Sequence, residues 1–125
     1  MPDDLYFPPR ELEVMGILWK LGSATVSEVR DQLESDLAYT SVLSALQSLE
    51  EKGHVRHEAE GRAYRYFAVV EADEAGRGAL ARIRESVFQG SAEKMLAHFV
   101  ADETFSREEL ERLRKLLTAR LKGDK

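Results

Sequence analysis

Short polar side chains share one face of a helix predicted between residues 39 and 52. Apolar residues recur at helical spacing on its other face, at Val42, Leu43, Leu46 and Leu49. The polar face is nearly uncharged, since it carries Thr40, Ser41, Ser44, Gln47, Ser48 and one acid, Glu51. Such side chains can enter a DNA groove and hydrogen-bond to phosphates or base edges, and a glutamine amide can pair with adenine. The same face could also be an ordinary solvated surface, so the neighbouring segments decide between the two interpretations.

The segment that follows this helix is locally basic, although the whole chain carries a net charge of −5. Between residues 52 and 66, four cations stand against two acids, Glu58 and Glu60. Cations that neutralise phosphates supply the salt-dependent part of DNA binding, and an arginine at a turn can enter a minor groove. We therefore expect Arg62 at a hairpin tip, with Arg56 and Arg65 on its flank, to contact the DNA backbone or the minor groove.

These side chains require three helices followed by a hairpin to position them. Pro9 suits a first helical position and Gly22 a helix end, while Thr25 and Glu28 have the spacing of a capping box. The pattern predicts helices over about 9–21, 25–33 and 39–52, then strands over 55–58 and 63–70 around a turn at 59–62. This order is typical of a winged helix-turn-helix, so we expect the 39–52 helix to be the recognition helix and the five uncharged residues of its polar face to contact the major groove. The predicted fold is mainly α with a small β-hairpin.

All patterns after residue 70 are helical, and their apolar stripes have no sheet to cover them. About 55 residues of helix alone form a poor core, so we expect a second copy of the chain to cover these stripes. We predict a DNA-binding domain over residues 1–70 and a helical dimerisation domain over 71–125. The predicted dimer contacts are Leu80, Ile83, Val87, Leu96, Phe99, Leu110, Leu113, Leu117 and Leu121. A leucine stripe is more often ordinary core, which is the alternative interpretation.

Several classes of function are disfavoured by the residues present. The chain has no cysteine, which excludes disulfides, thiolate metal sites and a cysteine nucleophile. His54 and His57 would point to opposite faces of a strand and His98 is isolated, so we predict no metal site and no cofactor. No nucleophile, base and orienting group can be assembled, so an enzyme is not expected. No apolar run approaches a bilayer span, so we expect a cytoplasmic protein without direct membrane binding.

The motifs taken together resemble those of the penicillinase-repressor family of bacterial transcription regulators, of the BlaI/MecI/CopY type. The matching segments are ELEVM at 11–15, LW at 18–19, ATVSEV at 24–29, YTSVL at 39–43, LEEKG at 49–53, EGRAYRY at 60–66, FQGS at 88–91 and FSREEL at 105–110. The resemblance implies a homodimer, joined through its C-terminal helices, that blocks transcription at a palindromic operator of double-stranded DNA. It also implies target genes of resistance or stress response.

The resemblance further implies a way to release the operator. In β-lactam-responsive members a membrane sensor-protease triggers cleavage of the repressor within the helix that here contains residues 95–100. The corresponding pair in this chain is His98-Phe99, whose first residue differs from that of those members. Copper-responsive members carry a C-terminal cysteine cluster, which this chain does not have.

The charge of the N-terminal residues leaves a second class of function open, a module that binds proteins rather than DNA. Residues 1–70 contain seven basic and twelve acidic residues, which is unusual for a surface that binds a polyanion. A winged-helix protein-interaction module without DNA binding would suit this charge. The salt dependence of DNA affinity distinguishes the two hypotheses.

Overall fold

The computed structural model of the protein describes residues 5–123, which contain six helices and three strands. In chain order these are α1 (Pro9–Leu21), β1 (Ser23–Thr25), α2 (Val26–Gln32), α3 (Tyr39–Glu51), β2 (Val55–Glu60), β3 (Ala63–Ala68), α4 (Ala72–Ser86), α5 (Ala92–Val100) and α6 (Arg107–Leu121). The chain packs as two units, the first ending at Ala81 and the second beginning at Arg82. This packing boundary lies within α4, while the functional boundary between residues 70 and 71 stays a prediction.

Local sequence signals explain where the first two helices begin and end. Pro9 is the first residue of α1, and Gly22 ends this helix at φ +88°, with its N–H 2.8 Å from the Leu18 carbonyl oxygen. In α2 the Thr25 hydroxyl accepts from the Glu28 N–H at 3.2 Å, and the Glu28 carboxylate accepts from the Thr25 N–H at 3.1 Å. The capping box is confirmed, and it fixes the direction of α2.

The sheet has three antiparallel strands in the order β1-β3-β2, one strand more than the predicted hairpin. The additional strand is β1, which pairs Ser23 with Phe67 and Thr25 with Arg65. The predicted turn at 59–62 was too long, because β2 continues to Glu60 and leaves only residues 61 and 62 in the turn. The second strand ends at Ala68 rather than at residue 70. We call residues 55–68 the wing.

One apolar core holds the first unit together. Its largest fully buried side chains come from α1, α2, α3 and the sheet: Val14, Met15, Leu18, Val29, Val42, Leu46, Leu49 and Tyr66. A hydrogen bond of 2.8 Å from the Trp19 indole Nε1 to the Val70 carbonyl oxygen joins α1 to the segment after the wing. Phe7 packs edge-on against Trp19 and His54, at 6.2 and 4.9 Å between ring centroids. The core therefore fixes the position of α3 relative to the base of the wing.

In the second unit, α5 and α6 each begin at a serine that caps the helix, but neither helix contains a buried residue. Ser91 accepts from the Lys94 N–H at 3.1 Å, and Ser106 forms a capping box with Glu109. The Phe99 and Phe105 rings pack at 4.9 Å between centroids. These helices are well specified locally, yet their apolar faces remain open in the single chain.

Candidate nucleic-acid interface

The polar face of α3 lies opposite the core, as its spacing predicts. Val42, Ala45, Leu46 and Leu49 are buried, whereas four of the five predicted contact residues are exposed: Thr40, Ser41, Ser44 and Gln47. Of these four side chains, none forms a side-chain hydrogen bond or an ion pair with another residue between 5 and 123. Their donors and acceptors are therefore available to a ligand along the length of the helix.

Ser48, the fifth predicted contact, is engaged inside the protein. Its hydroxyl donates a 2.9 Å hydrogen bond to the Glu11 carboxylate, which also pairs with the Lys52 ammonium at 2.9 Å. The Glu11 side chain is only 12% exposed, so this carboxylate is shielded from water. These contacts fasten the end of α3 to α1, and they leave Ser48 turned toward α1.

The wing presents two faces of different character. Side chains alternate along a strand, and the register places Arg56 and Glu58 with Arg65 and Phe67 on the outer face. The other face is directed toward the helices, since it carries the buried Tyr66 together with His57 and Tyr64. The Arg56 and Arg65 side chains therefore lie on the face away from the core.

A polar contact connects α3 to the inner face of the wing. The His57 Nδ1 atom lies 2.7 Å from the Glu50 Oε2 atom, and the His57 ring packs 4.4 Å from the Tyr64 ring centroid. Burial raises the pKa of the Tyr66 hydroxyl, and the Glu50 charge acts in the same direction. The contact between His57 and Glu50 thus joins the wing to the second half of α3.

The three arginines predicted to contact DNA have different surroundings. Gly61 and Arg62 form the turn of the wing, and the φ of +62° at Gly61 suits glycine. The Arg62 side chain is exposed and forms no ion pair with any residue of the range 5–123. The Arg56 guanidinium pairs with the Glu58 carboxylate at 2.6 Å and stacks 4.3 Å from the Phe67 ring centroid. Arg62 therefore offers the uncompensated charge of the wing, whereas Arg56 is partly neutralised.

Arg65 has all five of its N–H groups directed at neighbouring oxygens. Its Nε and Nη2 atoms donate to the Glu60 carboxylate at 2.7 and 2.9 Å. Nη1 and Nη2 donate to the Glu28 carboxylate at 3.1 and 3.3 Å, and Nη1 reaches the Ser23 hydroxyl at 3.3 Å. Because a guanidinium has five N–H groups in total, none is left for a phosphate in this arrangement.

The electrostatics of Arg65 and its two carboxylate partners agree with their geometry. The hydrogen bonds from Arg65 lower the pKa of Glu60, and those from the Thr25 backbone and Arg65 lower the pKa of Glu28. The two carboxylates in turn raise the pKa of Arg65 above its usual range. We call Ser23, Glu28, Glu60 and Arg65 the Arg65 cluster. Sequence alone did not reveal it, although strand alternation places Arg65 on the side of Glu58 and Glu60.

The predicted dimer residues are mostly exposed in the single chain. Leu113 is half-buried. The other eight are exposed: Leu80, Ile83, Val87, Leu96, Phe99, Leu110, Leu117 and Leu121. Within the second unit, α5 and α6 form an apolar groove of about 320 Å³ lined by Leu96, Phe99, Val100, Leu110, Leu113, Arg114, Leu116 and Leu117. We call this set the apolar groove.

The predicted cleavage pair lies on the exposed surface of α5. The His98 Nδ1 atom lies 3.1 Å from the Lys94 carbonyl oxygen, and the ring packs 5.1 Å from Phe88. Phe99 is 53% exposed and lines the apolar groove.

Within residues 5–123, no cluster of three or more His, Cys, Asp or Glu side chains could hold a metal ion. Nor is any helix in that range both long and apolar enough to span a bilayer.

Comparison with known proteins identifies the family. The family described as penicillinase repressor matches residues 7–119. The transcriptional regulator BlaI of Mycobacterium tuberculosis is 38% identical over 114 residues, which cover 86% of this chain and 79% of the relative. The methicillin resistance regulatory protein MecI of Staphylococcus aureus is 24% identical over 109 residues, covering 86% and 89%.

Solved structures show the same fold in the first part of the chain. The solution structure of the DNA binding domain of the repressor BlaI aligns with a TM-score of 0.50 and 30% identity, over 54% of this chain and 85% of that one. A MarR family protein from Bacillus stearothermophilus aligns with a TM-score of 0.53 and 20% identity over 96% and 76%, which is a likeness of fold alone. With the family match over nearly the whole chain, the protein belongs to the penicillinase repressor family.

Proposed function

We propose that this protein is a transcriptional repressor that binds operator DNA through α3 and the wing. The observation that carries the proposal is the exposed polar face of α3, with Thr40, Ser41, Ser44 and Gln47 free of internal partners. Family membership supports it, and so does the likeness of the first unit to the DNA binding domain of BlaI. The proposal includes no catalytic step.

Base reading and DNA positioning are assigned to different residues. Gln47 and Ser44 lie near the middle of the exposed face, where they reach base edges in a major groove. Arg62 at the wing tip neutralises a phosphate or enters the minor groove, and it contributes mainly the salt-dependent part of the affinity. Ser48 acts indirectly, because its bond to Glu11 holds α3 in place.

The functional unit is a homodimer joined through the second unit. Its apolar groove would be exposed to water in a monomer, and such surfaces are commonly covered by a partner. A second copy of the same surface covers it with two-fold symmetry. The dimer then presents two α3 helices, so the operator is a palindrome whose half-sites lie about 10 base pairs, or a multiple of that, apart. Occupation of this operator blocks transcription.

Release of the operator follows if the chain is cut between His98 and Phe99, in response to a membrane sensor-protease. Both residues are exposed on α5, so a protease can approach them once this nine-residue helix opens. The cut would separate Leu96 from the rest of the apolar groove, which Phe99 and α6 supply. Loss of the groove removes the dimer contact and with it the paired binding of two half-sites.

Selection of binding sites from a pool of random duplexes tests the proposed function. The wild-type protein should enrich a palindromic sequence, because two identical α3 helices read two identical half-sites. A variant with Ser44→Ala and Gln47→Ala should enrich a different or weaker motif, while its folding stays intact because both side chains are exposed. A matched control, Lys115→Ala on α6, should enrich the wild-type motif. Absence of any enriched motif would favour the protein-interaction module instead.

A further inference from the structure

The Arg65 cluster lies where the wing separates from the rest of the sheet. Strand β1 pairs with β3 only from Phe67 back to Arg65, so Arg65 is the last residue of β3 that β1 supports. Beyond it, Ala63 and Tyr64 pair with β2 alone. The outer half of the wing is therefore a two-stranded ribbon, and such a ribbon is only marginally ordered without further contacts.

The hydrogen bonds of Arg65 span this point of separation. Glu60 stands at the outer end of β2, whereas Glu28 belongs to the first turn of α2 and Ser23 to β1. Glu28 also accepts a hydrogen bond from the Thr25 backbone N–H, which ties its carboxylate to the start of α2. One guanidinium thus connects the projecting ribbon to the framework that carries the helix-turn-helix.

We propose that Arg65 is a positioning residue that fixes the wing for DNA binding, rather than a residue that contacts DNA. The proposal rests on the proposed function and departs from the sequence-based assignment of Arg65 to the DNA backbone. It explains why two carboxylates are kept beside a surface that binds a polyanion, where their charge alone would weaken binding. They are needed to hold the guanidinium, and the guanidinium holds Arg62 in place.

Neutralising one carboxylate of the cluster gives opposite results under the two assignments. If Arg65 contacts phosphate, Glu28→Gln or Glu60→Gln removes a competing negative charge and strengthens DNA binding. If Arg65 positions the wing, the same substitutions weaken binding about three- to tenfold, although the protein becomes less acidic. Glu58→Gln is the matched control, because Glu58 lies on the same strand and face but pairs with Arg56. It should leave affinity unchanged or slightly higher.

Substitution of Arg65 itself separates charge from geometry. Arg65→Lys keeps the charge but cannot form the forked hydrogen bonds, so it should lose as much affinity as Arg65→Gln. Because both variants release Arg62 from its position, the slope of log affinity against log salt should fall by about 2 per dimer in each of them, as in Arg62→Ala. A phosphate contact would instead lower the slope by about 2 per dimer in Arg65→Gln and preserve it in Arg65→Lys.

A coupling measurement distinguishes positioning of the wing from a general loss of stability. In the wild type, Arg62→Ala should weaken binding, but in the Arg65→Gln background the same change should have almost no further effect. A merely less stable protein would show the full effect of Arg62→Ala in both backgrounds. Circular dichroism confirms that each variant is folded at the temperature of the titrations.

A final arm needs no DNA, so its outcome is independent of the proposed function. Nitrogen-15 relaxation of the free protein reports the order of the Gly61 and Arg62 amides. Their order parameters should fall in Arg65→Gln and Glu28→Gln, toward the value of about 0.6 typical of flexible backbone, and stay unchanged in Glu58→Gln. Unchanged order in the first two variants would overturn the positioning role. If the wild type binds no duplex, the proposed function fails while this arm still decides the role of Arg65.

Discussion

Shortening one side chain of the apolar groove should weaken the homodimer by a calculable amount. Leu117 lines the groove and is 52% exposed in the single chain. Leu117→Ala removes three carbon groups, each worth about 0.8 kcal/mol when buried. About half of that contribution is gained only on association, or roughly 1.2 kcal/mol for each chain. Because a two-fold interface contains the residue twice, the dimer should lose roughly 2.5 kcal/mol.

Sedimentation equilibrium of the full chain measures this loss directly. A change of roughly 2.5 kcal/mol corresponds to an increase of the dimer dissociation constant by about 30- to 150-fold. Lys115→Ala, on α6 but outside the apolar groove, should leave the constant unchanged. Urea unfolding of both variants records how much of the loss lies in the folded monomer. A dissociation constant within threefold of the wild type in Leu117→Ala, or a wild type that is monomeric, would refute the groove as the dimer contact.

Three further predictions concern base reading, the core and pH. Gln47→Ala should weaken DNA binding by roughly 1–3 kcal/mol for each base contact and change the base preference at one position of each half-site. Titrations of mutated duplexes measure this change, and the salt slope should stay the same. Trp19→Phe removes the donor to the Val70 carbonyl oxygen and should lower the free energy of unfolding by roughly 1–2 kcal/mol, measured by circular dichroism in urea. Burial, with a smaller effect of Lys52, lowers the pKa of His54 below its ordinary value of 6.5. The unfolded chain is therefore protonated first, so stability should fall as pH drops below 6.5 and His54→Gln should flatten that part of the pH profile.

Apolar periodicity, together with signals for helix ends, predicted α1, α2 and α3 and the exposed face of α3. The structure confirms these because local signals and the core agree: Thr25 and Glu28 form the predicted capping box, and Val42, Leu46 and Leu49 are buried. The open apolar surface of α5 and α6 could also be anticipated, since the stripes have no opposing sheet. Such agreement is expected where a single element determines both its own shape and its buried side.

Contacts between distant segments could not be predicted in the same way. Strand β1 has three residues, too few to show an alternating pattern, and it forms only because β3 offers its edge. The hydrogen bonds of Arg65 join residues 37 and 42 positions apart, to Glu28 and Ser23. Their formation depends on the sheet register. The sequence shows only that Arg65 lies in a locally basic segment, and on that ground we predicted that it contacts DNA.

In the proposed repressor, α3 reads the DNA sequence while Arg62 supplies charge. The most direct test is a fluorescence anisotropy titration of wild type and Arg62→Ala against the selected palindrome and a scrambled duplex, over a series of salt concentrations. We predict that the wild type binds the palindrome more tightly, and that Arg62→Ala weakens both duplexes by a similar factor and lowers the salt slope by about 2 per dimer. Equal wild-type affinity for both duplexes, or no binding to either at about 50 mM salt, would contradict these roles of α3 and Arg62.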